Sequence, residues 1–144
     1  MWNEMVAIPL DQPGADDPRR LRDLLERARS LADRHALHSV LVGMAGFEGD
    51  PVFREVVHFV ESALRVDDGV FRMTRERVVL LLADVDRKKA QVVMERLLED
   101  YREHFPAANS PALGLGYFEV APEHGEVSVK QVLPAIFAEA PVAH

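Results

Sequence analysis

Apolar patterning predicts an α+β sandwich whose core runs β-α-β-β-α-β, with an extra helix at each end. Two short apolar runs, Val70 to Met73 and Val78 to Leu82, flank a polar corner, Thr74-Arg75-Glu76-Arg77, and so form a hairpin. Helical periodicity stands on both sides of that hairpin. One β-rich run precedes the first of these helices and another follows the second, which is the order of a ferredoxin-like split sandwich.

The elements follow in order. Residues 1–16 carry a brief apolar run, Met5 to Ile8, then Pro9, Pro13 and Gly14, a composition that belongs to a lead-in, and residues 17–144 are read as one domain. Asp17 before Pro18 makes an N-cap and first-turn pair, after which Leu21, Leu24, Leu25, Ala28 and Leu31 recur at helical spacing to about His35. Ser39 to Val42 is the first strand, closed by Gly43-Met44-Ala45-Gly46. From Pro51 a second helix places Phe53, Val56, Val57, Val60 and Leu64 on one face. Both strands of the hairpin are expected at the centre of a four-stranded antiparallel sheet, because Val78 to Leu82 is apolar on both faces. Asp84 or Asp86 caps the third helix, whose apolar face is Ala90, Val93, Met94, Leu97, Leu98 and Tyr101. Leu113 to Val120 is a strand interrupted by Gly114 and Gly116, and Val127 to Ala138 is a helix that Pro134 kinks or confines to short turns.

Composition excludes several classes. With 24 acidic against 17 basic residues in 144, the formal charge of −7 opposes non-specific attraction to nucleic acid or anionic lipid. There is no cysteine, hence no disulfide framework and no thiolate metal site. No run reaches transmembrane length, and Met1-Trp2-Asn3-Glu4 lacks the basic start of a signal peptide, so the expected location is the cytoplasm. The histidines show no metal-ligand spacing, and His35 with His38 is read as a helix C-terminal cap. Gly114-Leu115-Gly116 opens no helix and is no phosphate loop, while Arg87-Lys88-Lys89 is a solubilising face.

A more specific pattern lies between Gly43 and Arg96. The string R-x-x-D at Arg65 to Asp68, then Phe71-Arg72-Met73, a four-residue turn and Val78-Val79-Leu80-Leu81-Leu82 resembles the signature hairpin of the GGDEF family, which makes cyclic di-GMP. The resemblance implies a nucleotidyl-cyclase-like version of the same sandwich. Its signature positions correspond to Thr74, Arg75, Glu76, Arg77 and Val78, so both glycines are replaced and one acid remains, at Glu76. The family's strand-exit string D-x-D-x-F-K, whose first aspartate holds magnesium, corresponds to Gly43, Met44, Ala45, Gly46, Phe47 and Glu48, where the phenylalanine is kept and both acids are lost. About ten residues of the family's nucleotide-binding helix are missing before Gly49-Asp50, and Asp50 alone matches a guanine-reading position. Two-metal phosphoryl chemistry needs clustered carboxylates. The resemblance therefore implies a degenerate, catalytically inactive relative, with no catalytic residue, no metal ligand and no cofactor. Glu76 is read as a solvated turn residue pairing with an arginine.

The family's inhibitory site fares differently. Asp68 stands six residues before Thr74, the family spacing, and Arg96 matches a helix arginine that assists that site. The resemblance thus implies cyclic di-GMP at Arg65, Asp68 and Arg96, with Arg72 nearby. Guanidinium groups grip phosphate oxygens or a guanine edge bidentately, and a carboxylate accepts the guanine N1 and N2 protons. R-x-x-D is also a cheap pattern, since Arg20-Leu21-Arg22-Asp23 satisfies it on the first helix. The same arginines, paired with Asp67, Asp68 or Glu95, serve equally as ordinary surface structure. Two functions stand side by side: an inactive cyclic di-GMP effector that signals to a protein partner, and a ligand-free pseudoenzyme retained for protein interaction. A retained cyclase is disfavoured by the lost acids. Neither nucleic acid nor membrane is an expected partner, and a homodimer stays open.

Overall fold

A computed structural model describes residues 15–106 and 111–143. The expected run Met5 to Ile8 lies outside them. The elements are α1 (Arg19–His35), β1 (Ser39–Ala45), α2 (Pro51–Ala63), β2 (Gly69–Arg72), β3 (Arg77–Ala83), α3 (Arg87–His104), β4 (Ala112–Val120), α4 (Val129–Ile136) and β5 (Val142–Ala143). The α+β sandwich is therefore the observed architecture, and it carries one short strand more than the four expected.

Each helix begins where local chemistry satisfies its free amides. At α1 the Asp17 carboxylate accepts the Arg19 N–H at 2.9 Å. Arg19 beside it holds the Asp17 carboxyl down at about 2, through hydrogen bonds from its side chain and then its backbone. Asp50 accepts the Val52 N–H ahead of Pro51 at α2. Of the two aspartates considered for α3, Asp86 is the cap, accepting from Lys89 at 2.8 Å, while Asp84 forms the turn before it with φ of 58°. Ser128 and Gln131 close a reciprocal capping box at α4, the Ser-x-x-Gln signal of a helix start. Helix α4 has eight residues, with Pro134 inside its last turn.

All pairings in the sheet are antiparallel, in the order β2-β3-β1-β4-β5. The hairpin is thus only half central: β3 is interior and β2 is an edge. One face packs Val40, Val42, Met44, Val78, Leu80 and Leu82 against α2 and α3. The other packs Leu41, Phe71, Val79 and Leu81 against α1 and α4. The unbroken apolar run of β3 is what two covered faces require. Between α2 and α3, the rings of Phe59 and Tyr101 meet edge to face at 5.7 Å, and the Tyr101 hydroxyl donates to Glu55 at 3.0 Å. Burial, with help from Glu55, pushes the Tyr101 phenol up to about 12.

The glycines have tertiary reasons. Gly43 does not end β1, and Gly114 and Gly116 do not interrupt β4; Gly43 and Gly116 are directly paired across the two strands. Over them lies the backbone at the end of α4. A Cβ on Gly43 would stand 2.9 Å from the Ile136 carbonyl carbon, and one on Gly116 2.6 Å from it. Bare glycine lets α4 sit directly on the sheet. No helix among the described residues is long and apolar enough to cross a membrane.

Candidate functional site

The sandwich has two ends. At one, the C-terminal end of α2 and the turn into β2 meet the end of β3, and Arg65 and Asp68 fall here. Asp68 folds the turn on itself: its carboxylate accepts the Arg65 N–H at 2.9 Å and the Ala83 N–H at 2.9 Å, and it lies 3.5 Å from Arg65 Nε. A further bond closes the turn, from Asp68 N–H to the Arg65 carbonyl at 3.0 Å. The Arg65 Nη2 donates to the Ala83 carbonyl. In consequence the Asp68 side chain is 5% exposed and that of Arg65 is 58% exposed.

No hydrogen bond or ion pair among the described residues joins the other expected residues to this pair. Arg72 ends β2, where its guanidinium binds Glu61 and approaches Asp16 at 4.0 Å, and its backbone exchanges hydrogen bonds of 2.8 Å with Asp16. Asp16, counted with the lead-in by sequence, thereby lines the free edge of β2. Arg96 is exposed in the middle of α3, and no hydrogen bond or ion pair joins it to Arg65, Asp68 or Arg72.

At the opposite end, the β2–β3 turn faces the N-terminus of α2. Glu76 does not pair with an arginine as expected; it accepts the Thr74 hydroxyl at 3.3 Å, and its N–H returns to Thr74 Oγ1 at 3.2 Å. Arg77 lies over the Phe137 ring at 5.1 Å. Two cavities open beside the turn. One, of about 270 Å³, is floored by Phe53, Val57 and Val78 and rimmed by Arg54, His58, Arg72, Thr74 and Arg75. The other, of about 300 Å³, runs from Phe47 to Pro51 and shares Arg54 and Arg75. Arg75 was marked by sequence only as the replacement of a signature glycine, and Arg54 not at all, because nothing in their spacing announces a shared cleft. No group of three or more histidines or acids among the described residues is arranged to hold a metal ion.

His38 is no helix cap. Its Nδ1 meets Glu119 Oε2 at 2.6 Å, while Glu119 Oε1 accepts the Arg87 N–H at 3.0 Å and so helps to offset the basic start of α3. α1 ends instead on Ala36 in the left-handed region, at φ 53°.

Comparison with known proteins places these features. PelD of Pseudomonas aeruginosa PAO1 superposes with a TM-score of 0.64 at 20% identity over 80% of this chain, which spans 42% of the PelD chain. A microbial GGDEF domain studied for its interaction with cyclic di-GMP gives 0.61 at 17% identity, covering 86% of this chain and 84% of that one. SiaD, a diguanylate cyclase of Pseudomonas aeruginosa solved with its activator SiaC, gives 0.64 at 22% identity, covering 91% of this chain and 58% of its own. At these identities the likeness is one of fold. No curated protein sequence matches the chain. The family model described as diguanylate cyclase, GGDEF domain, matches residues 46–133, from the exit of β1 into α4, and the chain belongs to the GGDEF family.

Proposed function

We propose that this domain is a cytoplasmic GGDEF domain without cyclase activity, which binds cyclic di-GMP beside the α2–β2 turn and signals to a protein partner. The observation that carries it is the Arg65–Asp68 turn. Asp68 is buried at its base and anchored to β3, and between its carboxylate and the Ala83 carbonyl it holds the Arg65 guanidinium in one position on a side chain that stays 58% exposed, preorganised for an anionic or guanine-bearing ligand. In this reading Arg65 and Arg96 grip phosphate or guanine O6/N7. Asp68 holds Arg65 in place, and reads a guanine edge only by releasing the Ala83 N–H. Arg72 joins only by leaving Glu61. The interaction of a structurally similar GGDEF domain with cyclic di-GMP and the SiaC complex of SiaD are the precedents for ligand and partner.

Loss of catalysis is supported by the donor set. The family's magnesium-holding aspartate corresponds to Gly43, and the carbonyl group of Ile136 occupies the place where any side chain there would project. Glu76 is drawn onto Thr74. A single remaining carboxylate does not fit a two-metal site. Incubation with GTP and magnesium or manganese is expected to give no cyclic di-GMP above a protein-free control, and product retained through further purification would refute this.

A second reading, the ligand-free interaction module, is favoured by one fact: both Asp68 carboxylate oxygens are already engaged within the chain. Calorimetry with cyclic di-GMP, with GTP and cyclic di-AMP as controls, separates the two. Arg65→Ala is expected to weaken binding by about one to two orders of magnitude, the worth of one charge-assisted contact. Wild-type protein that stays folded and gives no heat at high micromolar ligand overturns the effector reading.

A further inference from the structure

The chain has a net charge of −7, yet its β2–β3 turn gathers cations around an apolar floor. Arg72 is neutralised by Glu61, and Arg77 stacks on Phe137. Arg54 and Arg75 are exposed, and neither has a hydrogen bond or ion pair among the described residues. They stand together on the shared wall of two cavities, of about 270 and 300 Å³. Beneath the first, Phe53, Val57 and Val78 are buried core side chains, so its floor is apolar and firm. An unpaired arginine pair over such a floor is the arrangement of an anchor pocket with a charged rim.

The second cavity decides what kind of anion fits. Glu48, Asp50 and Glu76 line it alongside the two arginines. A polyphosphate, with its charge concentrated in a few ångströms, would lie against those carboxylates and be repelled. An extended peptide carries separated single charges and backbone N–H donors. It can set carboxylates on Arg54 and Arg75 and turn its amides toward Glu48 and Glu76.

We propose that the cleft between α2 and the β2–β3 turn docks an acidic segment of a protein partner, which places one large apolar side chain over Phe53, Val57 and Val78 and its flanking carboxylates on Arg54 and Arg75. This rests on the reading that the domain signals to a protein, and it locates the contact at the end of the sandwich opposite Arg65 and Asp68.

The test is fluorescence anisotropy of the full chain with a labelled peptide in which one tryptophan is flanked by glutamates, in the absence of cyclic di-GMP. Saturable binding that weakens with salt is expected. Arg54→Glu and Arg75→Glu should each reduce affinity roughly tenfold or more, since a rim charge is reversed. The lysine counterpart of the peptide should not bind. Circular dichroism checks that the variants, altered at exposed positions, stay folded. No anisotropy change at high micromolar protein, binding indifferent to both reversals, or GTP binding through the same arginines where the peptide fails, would each overturn the proposal. Calorimetry with cyclic di-GMP on Arg75→Glu keeps the two readings distinguishable. Loss of cyclic di-GMP heat from the wild type alone refutes the ligand reading, whereas loss of the peptide signal alone refutes this one.

Discussion

Replacing Asp68 with alanine separates a structural role from a ligand-reading one. The side chain is 5% exposed, and the backbone N–H groups of Arg65 and Ala83 each donate to it at 2.9 Å. A hydrogen bond to a charged acceptor contributes about 1.5–3 kcal/mol, so losing both would cost roughly 3–6 kcal/mol if the donors stayed dry. The turn is at the surface, and water that reaches the freed amides recovers part of this. The expected loss is therefore about 2–4 kcal/mol, or a fall in Tm of about 10 °C for a domain of this size. Asp68→Asn keeps one carbonyl oxygen but turns an NH₂ toward the other donor, and is expected to lose about 1–2 kcal/mol. Asp23→Ala, which removes the exposed acid of the second R-x-x-D, should stay within about 0.5 kcal/mol of wild type. Urea unfolding without ligand, followed by circular dichroism at a common m-value, reads all three. A loss below about 1 kcal/mol for Asp68→Ala would refute the reasoning, because the carboxylate would then not be tying α2 to β3.

Two further predictions rest on packing and burial. Gly43→Ala sets a Cβ against the Ile136 carbonyl group, backbone against backbone, and should destabilise by about 1–3 kcal/mol although alanine is otherwise the better strand residue; unchanged or raised urea resistance would show that α4 gives way freely. For Tyr101, the folded phenol ionises at about 12 against about 10 in the unfolded chain, so its stabilisation is intact below pH 10 and is lost as pH rises to 12. Across that window the unfolded state has already released the proton that the folded state keeps, so stability falls with pH. Tyr101→Phe should flatten this part of the stability profile measured from pH 9 to 12, and an unchanged slope would assign the alkaline loss to other groups.

What the sequence by itself determined is local. Helical spacing marked α1, α2 and α3, with Asp17-Pro18, Pro51 and one of Asp84 or Asp86 as their starts, and the unbroken Val78 to Leu82 run required a strand covered on both faces, because propensity, capping and burial period act within a few residues; that Asp50 and Asp86 are the caps of α2 and α3 was decided by the structure. The order of elements then identified the sandwich, and the spacing of Arg65 and Asp68 from the turn marked them as a unit. Only the tertiary structure decided which groups those residues meet. Asp68 finds Ala83 because the α2–β2 turn closes against the end of β3, a contact fifteen residues away in sequence. β2 lies at the edge because β1 takes the inner place beside β3, a choice no pattern within β2 encodes. Gly43 and Gly116 read as breaks in strands, yet they are continuous sheet beneath the backbone of α4. Arg54 and Arg75 are unremarkable surface residues until α2 and the turn bring them to one rim. In each case the deciding contact joins segments far apart in the chain, and its geometry exists only once the sheet has assembled.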